Sequence, residues 1–339
     1  MAQSIRLTVA MQQYERHLRA RGLASNTVKN HLQALRACKA VWGDILLASV
    51  TPAHIDALFS HHGWSESTRN LYLSTLNGFI VWAQRHRYMA RDGSPTDGWR
   101  NMRVPRRERL RVPVEQFPAL LAAADHPRDR AVIALGLFTF LRGGELAALR
   151  VSDLDLSGNR LHIWRQKTRE ADTLPVSSEL GEEMASWLAW YRQDQGAILR
   201  PNWFLVPAKD KPRTAYDPEL GRIYVDRNHL AHLKPETRLG RPYTVAQRAL
   251  AVLDYDTHQE GEHTLRRSGA RALADSLRDQ GYDGALMRVA SMLGHKDTRI
   301  TEKYIGWEME RDLRNRDIAG KAMFPSMPRS GEVVQLRRA

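Results

Sequence analysis

Among 339 residues there is one cysteine, Cys38. That excludes an intramolecular disulfide framework and any cysteine-based zinc cluster. Long apolar runs are absent too. The longest, Ala131 to Leu141, is about half of what a bilayer crossing requires, so no membrane partner is expected. No basic segment followed by an apolar core and a cleavage site opens the chain, and the expected location is cytoplasmic. Internal repeats are missing, as is any Asp/Glu cluster with the spacing of magnesium ligands, so no metal and no cofactor is expected. Acidic residues are in deficit: 51 Lys and Arg face 38 Asp and Glu, a formal charge of +13. Such an excess points to a polyanion, nucleic acid first among them. A hydrophobic fraction of 42% and a charged fraction of 26% suit a folded protein, and the length suits two domains with separate cores.

The pattern predicts four helices within residues 1–96. Ile5, Leu7, Val9, Met11, Tyr14 and Leu18 line the first, which Gly22 stops. Ser25-Asn26-Thr27 offers an N-cap to the second. Thr51-Pro52 opens the third, with proline at the first helical position. Ser65-Glu66-Ser67-Thr68 precedes the fourth. Residues 97–113 read as a linker rich in arginine (Arg100, Arg103, Arg106, Arg107, Arg109, Arg111), with Glu108 its one acid after Arg100 and with Pro105 and Pro113 keeping it extended. It is either a solvated tether or a strap lying along phosphates.

Residues 114–322 form the expected second domain. Arg128–Leu141 reads as a buried helix interrupted at Gly143-Gly144 and resuming at Glu145. Strands are predicted over Leu154–Leu156, Arg160–Trp164 and Asp172–Val176, with Ser157-Gly158-Asn159 as a hairpin turn. Glu179–Gln193, His263–Leu277, Leu286–Leu293 and Thr298–Ile305 return to helix, residues 207–258 defy a clear reading, and residues 323–339 look like a tail. The fold class is mainly α with a small antiparallel β-sheet.

Four clusters can carry chemistry. Arg142 stands at the end of an apolar helix beside two glycines, either as a helix C-terminal cation or as a guanidinium aimed into a cleft that the glycines open, with Glu145 as its brace. Lys167 lies in a turn between two strands, where most lysines are simply solvated. His263 and Arg266, three apart, share one helix face. Leu293-Gly294-His295 is followed nine residues after the histidine by Tyr304, which alone would read as half-buried core.

In that order, Arg142, Lys167, His263-x-x-Arg266, Leu293-Gly294-His295 and Tyr304 resemble the tyrosine recombinase (phage integrase) family over nearly the whole chain. The resemblance implies an N-terminal helical, SAM-like core-binding domain and a catalytic domain that cleaves and rejoins DNA through a 3′-phosphotyrosyl intermediate. By it, Tyr304 is the nucleophile, Arg142 and Arg266 clamp the phosphate, and Lys167 protonates the leaving 5′ oxygen. His263 and His295 complete the site, with Glu145 behind it. It further implies double-stranded DNA recombination sites as substrate, a homotetramer on paired sites, a tail that docks on a neighbouring protomer, and room for an accessory directionality or DNA-bending factor. The chain departs from the family in two respects. Arg267 stands where a histidine is common, leaving open which of the adjacent arginines faces the phosphate and placing Arg267 among the expected DNA contacts. The stretch from Val176 to His263 is also long. A type IB-like topoisomerase and a non-catalytic DNA-binding regulator are the competing readings.

The residue types suit the reaction independently of the resemblance. A phosphodiester under attack gains negative charge, and guanidinium forks match its oxygens without losing their proton. A phenol is only about 0.1% ionised at pH 7, so it needs a base or cationic surroundings.

Overall fold

The computed structural model describes residues 4–105, 107–210 and 232–307, together with the backbone of 213–217 and 222–226. Arg106 and the expected tail, 323–339, lie outside the described residues. The chain divides into two compact units, the first ending at Arg107 and the second beginning at Glu108. No helix among the described residues is long and apolar enough to cross a membrane.

The first unit comprises α1 (Leu7–Ala20), α2 (Ser25–Trp42), α3 (Pro52–His61) and α4 (Glu66–Arg85). Leu7, Ala10, Tyr14 and Leu18 of α1 are buried at helical spacing and meet Leu35, Ile55, Leu58, Phe79 and Trp82 in one core. Each such leucine contributes about 1.5–3 kcal/mol on leaving water. Two of the expected helix starts are seen. Thr51 caps α3, its Oγ1 bonded to His54 Nδ1 at 2.9 Å, and the Ser65 side chain accepts from the Thr68 N–H. The third is shifted: Ser25 is already helical, and Ala24, which has no capping side chain, precedes it.

The second unit packs α5 (Phe117–Ala122), α6 (Pro127–Thr139), α7 (Gly143–Leu146), α8 (Ser178–Gln195), α9 (Pro242–Val252), α10 (Glu262–Asp279), α11 (Ala285–Leu293) and α12 (Thr298–Ile305) around a three-stranded antiparallel sheet. That sheet runs β1 (Leu154–Asp155), β2 (Arg160–Arg165), β3 (Glu170–Pro175). Asp155 accepts from the Gly158 N–H at 2.9 Å, and Asn159 takes the left-handed conformation, which closes the expected hairpin turn. Ala131, Val132, Ile133, Ala134 and Leu135 are all buried, so α6 is enclosed on every side as its unbroken apolar run foretells. The stretch that defied reading holds β4 (Pro207–Lys209), β5 (Arg213–Asp217), β6 (Arg222–Asp226) and β7 (Leu233–Arg238), with β5–β6 nested as a hairpin between the paired β4 and β7, and then α9. The β4 end is tied to α6 by a buried ion cluster in which Asp129 holds both Arg128 and, at 2.7 Å, Lys209.

The expected helix break is relocated. It falls at Phe140, which adopts the left-handed conformation (φ 53°), while Gly143 and Gly144 form the first turn of α7. Arg142 is therefore not a helix C-terminal cation; it is the residue before the N-terminus of α7. Nor do the glycines admit another backbone. What comes close is a side chain, for a Cβ on Gly143 would lie 3.0 Å from Glu262 Cγ.

The arginine-rich segment is no free tether at its two ends. Asn70 exchanges two 2.8 Å hydrogen bonds with the Met102 backbone inside the first unit. Inside the second, the Val112 N–H donates to Ser268 Oγ at 2.8 Å.

Candidate active site

Arg142 is fixed by its own neighbour three residues on. Its backbone N–H donates to Glu145 Oε2 at 3.0 Å and its Nη1 to Glu145 Oε1 at 3.1 Å, so the carboxylate caps α7 and aims the guanidinium together. Glu145 is buried and Arg142 is partly exposed, an arrangement that leaves the rest of the fork open to a ligand.

Arg266 is among the largest fully buried side chains. It donates to the carbonyls of Phe140 and, at 2.8 Å, Leu293, which end α6 and α11. Two helix C-termini present their negative ends there, and a cation belongs at such a place. Burial pushes its pKa down to about 10, so it stays charged at neutral pH. Its guanidinium lies 5.7 Å from the centre of the Tyr304 ring.

Tyr304 projects from α12 and donates from its hydroxyl to the His263 carbonyl at 3.3 Å. Burial raises its pKa, while Arg266 first, and then Arg267 and Arg142, pull it back by favouring the phenolate. The ring of His295 meets Tyr304 edge-on, centroids 5.6 Å apart, and its Nδ1 is tied to Thr301 Oγ1 at 2.9 Å. Desolvation, with Arg266 and Arg142 nearby, lowers the His295 pKa to about 4. Desolvation lowers His263 as well, with Arg266 and Arg267 adding to the effect against Glu262. Both shifts favour the neutral imidazole.

A cavity of about 300 Å³ is lined by Arg142, Lys167, His295 and a further arginine, Arg165. The fold therefore assembles the expected residues in two linked groups. Arg142, Lys167 and His295 face one cavity; His263, Arg266 and Tyr304 are joined beside it, with His295 common to both through its contact with Tyr304.

Arg267 does not join them. It is buried, donates twice to the Leu110 carbonyl, at 3.1 and 2.9 Å, and pairs with Glu260 at 2.7 Å. Of the two adjacent arginines, Arg266 is the one whose guanidinium lies by the Tyr304 ring, while Arg267, expected among the DNA contacts, is engaged with Glu260 and the Leu110 carbonyl. Arg100, Arg103, Arg107 and Arg109 are exposed, and Arg111 is partly covered with Glu108 3.2 Å away. Sequence reasoning passed over Arg165. The signal was present, since Arg165 shares the inward parity of Leu161 and Ile163 along β2, where a cation is out of place.

Comparison with known proteins fits this geometry. The phage integrase family profile matches residues 111–311, and the phage integrase N-terminal SAM-like domain profile matches residues 11–87. The chain belongs to the phage integrase (tyrosine recombinase) family. A protein of Sinorhizobium fredii described as an integrase/recombinase, y4rF, is 27% identical over 269 residues, covering 76% of this chain and 56% of that protein. Tyrosine recombinase XerC 1 of Ralstonia nicotianae is 29% identical over 283 residues, 78% of this chain and 77% of that one. Among solved structures, a lambda integrase dimer bound to a COC' core site shares the fold, with a TM-score of 0.65 at 18% identity over 89% of this chain and 77% of the other.

Proposed function

We propose that this protein is a site-specific DNA recombinase that breaks and rejoins strands through a 3′-phosphotyrosyl intermediate. The observation that carries the reading is the placement of Tyr304. Its hydroxyl donates to the His263 carbonyl, its ring lies by the Arg266 guanidinium, and it meets His295, which lines the cavity with Arg142 and Lys167.

In the forward step Tyr304 Oη leaves the His263 carbonyl and bonds to phosphorus as the bond from phosphorus to O5′ breaks. The phenolic proton passes to the imidazole that the same residue carries, and Lys167 Nζ gives a proton to O5′, which leaves as a hydroxyl. Arg142 and Arg266 face the non-bridging oxygens, where negative charge grows, and fixed cations aimed at that charge are the largest contribution to the rate. These cations supply what the phosphorane needs, so the step as written uses neither a metal nor ATP. The ester stores the energy of the broken bond, and a 5′-hydroxyl from another strand reverses each transfer. Exchange between two duplexes requires four cleavages, hence four protomers on paired sites. The exposed linker arginines then lie along phosphates, each neutralised phosphate adding roughly −0.9 to the slope of log K against log salt.

The test is covalent capture. A duplex library from the surrounding replicon, nicked so that the cleaved strand escapes, yields protein–DNA adducts whose junctions map the target. Tyr304→Phe abolishes adducts while specific binding in a gel shift persists; adducts formed by Tyr304→Phe overturn the assignment. Relaxation of supercoiled DNA without any mapped site identifies a topoisomerase instead.

A further inference from the structure

Arg165 ends β2 two residues before Lys167, and its guanidinium reaches three separate parts of the site. Nε and Nη2 hold Asp172 of β3, at 3.0 and 2.9 Å. Nη2 also donates to the Met292 carbonyl at 2.7 Å, in the last turn of α11 that delivers His295. Nη1 lies 3.7 Å from Glu145, the carboxylate that braces Arg142. The close fit depends on Gly294, where a Cβ would come within 3.3 Å of Arg165 Nε.

This network is poorly explained by stability. Nη1 is buried without a hydrogen-bond partner, and a buried ion pair left incompletely satisfied contributes little net free energy. Arg165 lines the cavity, but its side chain is only 5% exposed and Nε and Nη2 are engaged, so what it contributes there is the placement of its neighbours. Its position instead governs the turn between β2 and β3. Lys167 is exposed on that turn, and a long side chain on a hairpin tip has many directions to take. A general acid must come within hydrogen-bond reach of its acceptor, and an error of 1 Å costs roughly 100-fold in rate.

We infer that Arg165 is a positioning residue. It closes the β2–β3 turn onto Asp172 and ties it to the Arg142 and His295 elements, so that Lys167 is presented to the leaving oxygen. The inference rests on the reading of Lys167 as the acid that protonates O5′ while the bond from O5′ to phosphorus breaks.

A change of leaving group tests it. Two nicked duplexes carrying the mapped site have either oxygen or sulfur as the 5′ bridging atom. A thiolate, with a conjugate-acid pKa of about 8.5, departs without a proton donor, whereas an alkoxide does not. Single-turnover adduct formation is measured for Arg165→Gln, Arg165→Lys and Lys167→Ala, with gel shifts and thermal melts establishing that each is folded. Asp172→Asn, a partly exposed site, provides the same test with less risk to folding.

The Arg165 variants are expected to be slowed by about 10- to 100-fold on the oxygen substrate and to come within about threefold of the parent on the sulfur substrate, as Lys167→Ala does. Asp172→Asn should show the same pattern in milder form. Equal slowing of Arg165 variants on both substrates, or no slowing on oxygen, overturns the inference while leaving the acid assignment intact if sulfur restores Lys167→Ala. Failure of sulfur to restore Lys167→Ala overturns the acid assignment and the inference with it.

Discussion

Replacing Gly269 by alanine tests how tightly the helix bearing Arg266 must approach its neighbour. Gly269 lies on α10 where it crosses the last turn of α6. A Cβ built there falls 2.8 Å from the carbonyl carbon of Leu137, 2.8 Å from Phe140 Cε1, and closer still to the Leu137 oxygen. Two of these atoms are backbone, so no rotamer change relieves the contact; the helices must part by about 1 Å. Overpacking of this kind costs about 1–3 kcal/mol. Alanine regains up to about 1 kcal/mol of helix propensity, and because backbone must move, the upper part of the range applies and a net loss of about 2 kcal/mol is expected. For a domain of this size that lowers the melting temperature by about 4–8 °C. Activity should fall further than stability, since Arg266 sits one turn away and donates to Phe140 at the same contact, and a 1 Å error costs roughly 100-fold in rate. Calorimetry of the full chain and single-turnover adduct formation measure the two effects. Gly181→Ala supplies the control. Its Cβ would meet nothing nearer than Val176 Cγ1 at 3.9 Å, and the exchange should stabilise α8 by about 0.5–1 kcal/mol. A Gly269→Ala protein that melts at or above the parent's temperature would refute the close-packing argument.

Three further outcomes follow from the geometry. Arg142→Lys should slow adduct formation by roughly 100- to 1,000-fold with DNA binding little changed, because an ammonium cannot hold Glu145 and a phosphate oxygen in one planar fork; near-parental cleavage rates would contradict it. Asp129→Asn leaves the Arg128 and Lys209 cations buried beside each other without their shared carboxylate, and denaturant titration should show a loss of about 3–5 kcal/mol. For His295, the folded pKa of about 4 lies below the ordinary value of 6.5. The unfolded chain therefore takes up a proton that the folded chain refuses, and stability drops as pH falls from about 6.5 towards 4. His295→Gln should flatten the stability profile in that window, and an unchanged slope would show that the imidazole is not desolvated as described.

Much of the secondary structure was legible because its signals are local in kind. Thr51 and Ser65 announce helix starts through side-chain oxygens that satisfy neighbouring N–H groups, and the Ser157-Gly158-Asn159 turn is written in residues that tolerate the required backbone. The strand segment at 207–238 was illegible for the opposite reason. Its strands pair at a distance, β4 with β7 around a nested hairpin, and short polar strands carry little periodicity of their own. Phe140 in the left-handed conformation likewise has no local signature. What accompanies it is a contact from afar, the guanidinium of Arg266 on its carbonyl.

By itself the sequence determined the inventory: an arginine, a lysine, a histidine–arginine pair, a histidine and a tyrosine in an order that fits transesterification at phosphorus, within a cationic and mainly helical chain. Only the tertiary structure decided which cations meet. Arg266 and Arg267 are adjacent and chemically identical, yet a helix turns successive residues by about 100°, so one reaches the ends of α6 and α11 beside Tyr304 and the other is bound to Glu260 and Leu110. The same geometry set Arg165 inside β2, where it is held by Asp172 across the hairpin and by the carbonyl of Met292, 127 positions away. Which charges share a site depends on which backbone faces pack together, and that is fixed by the whole core.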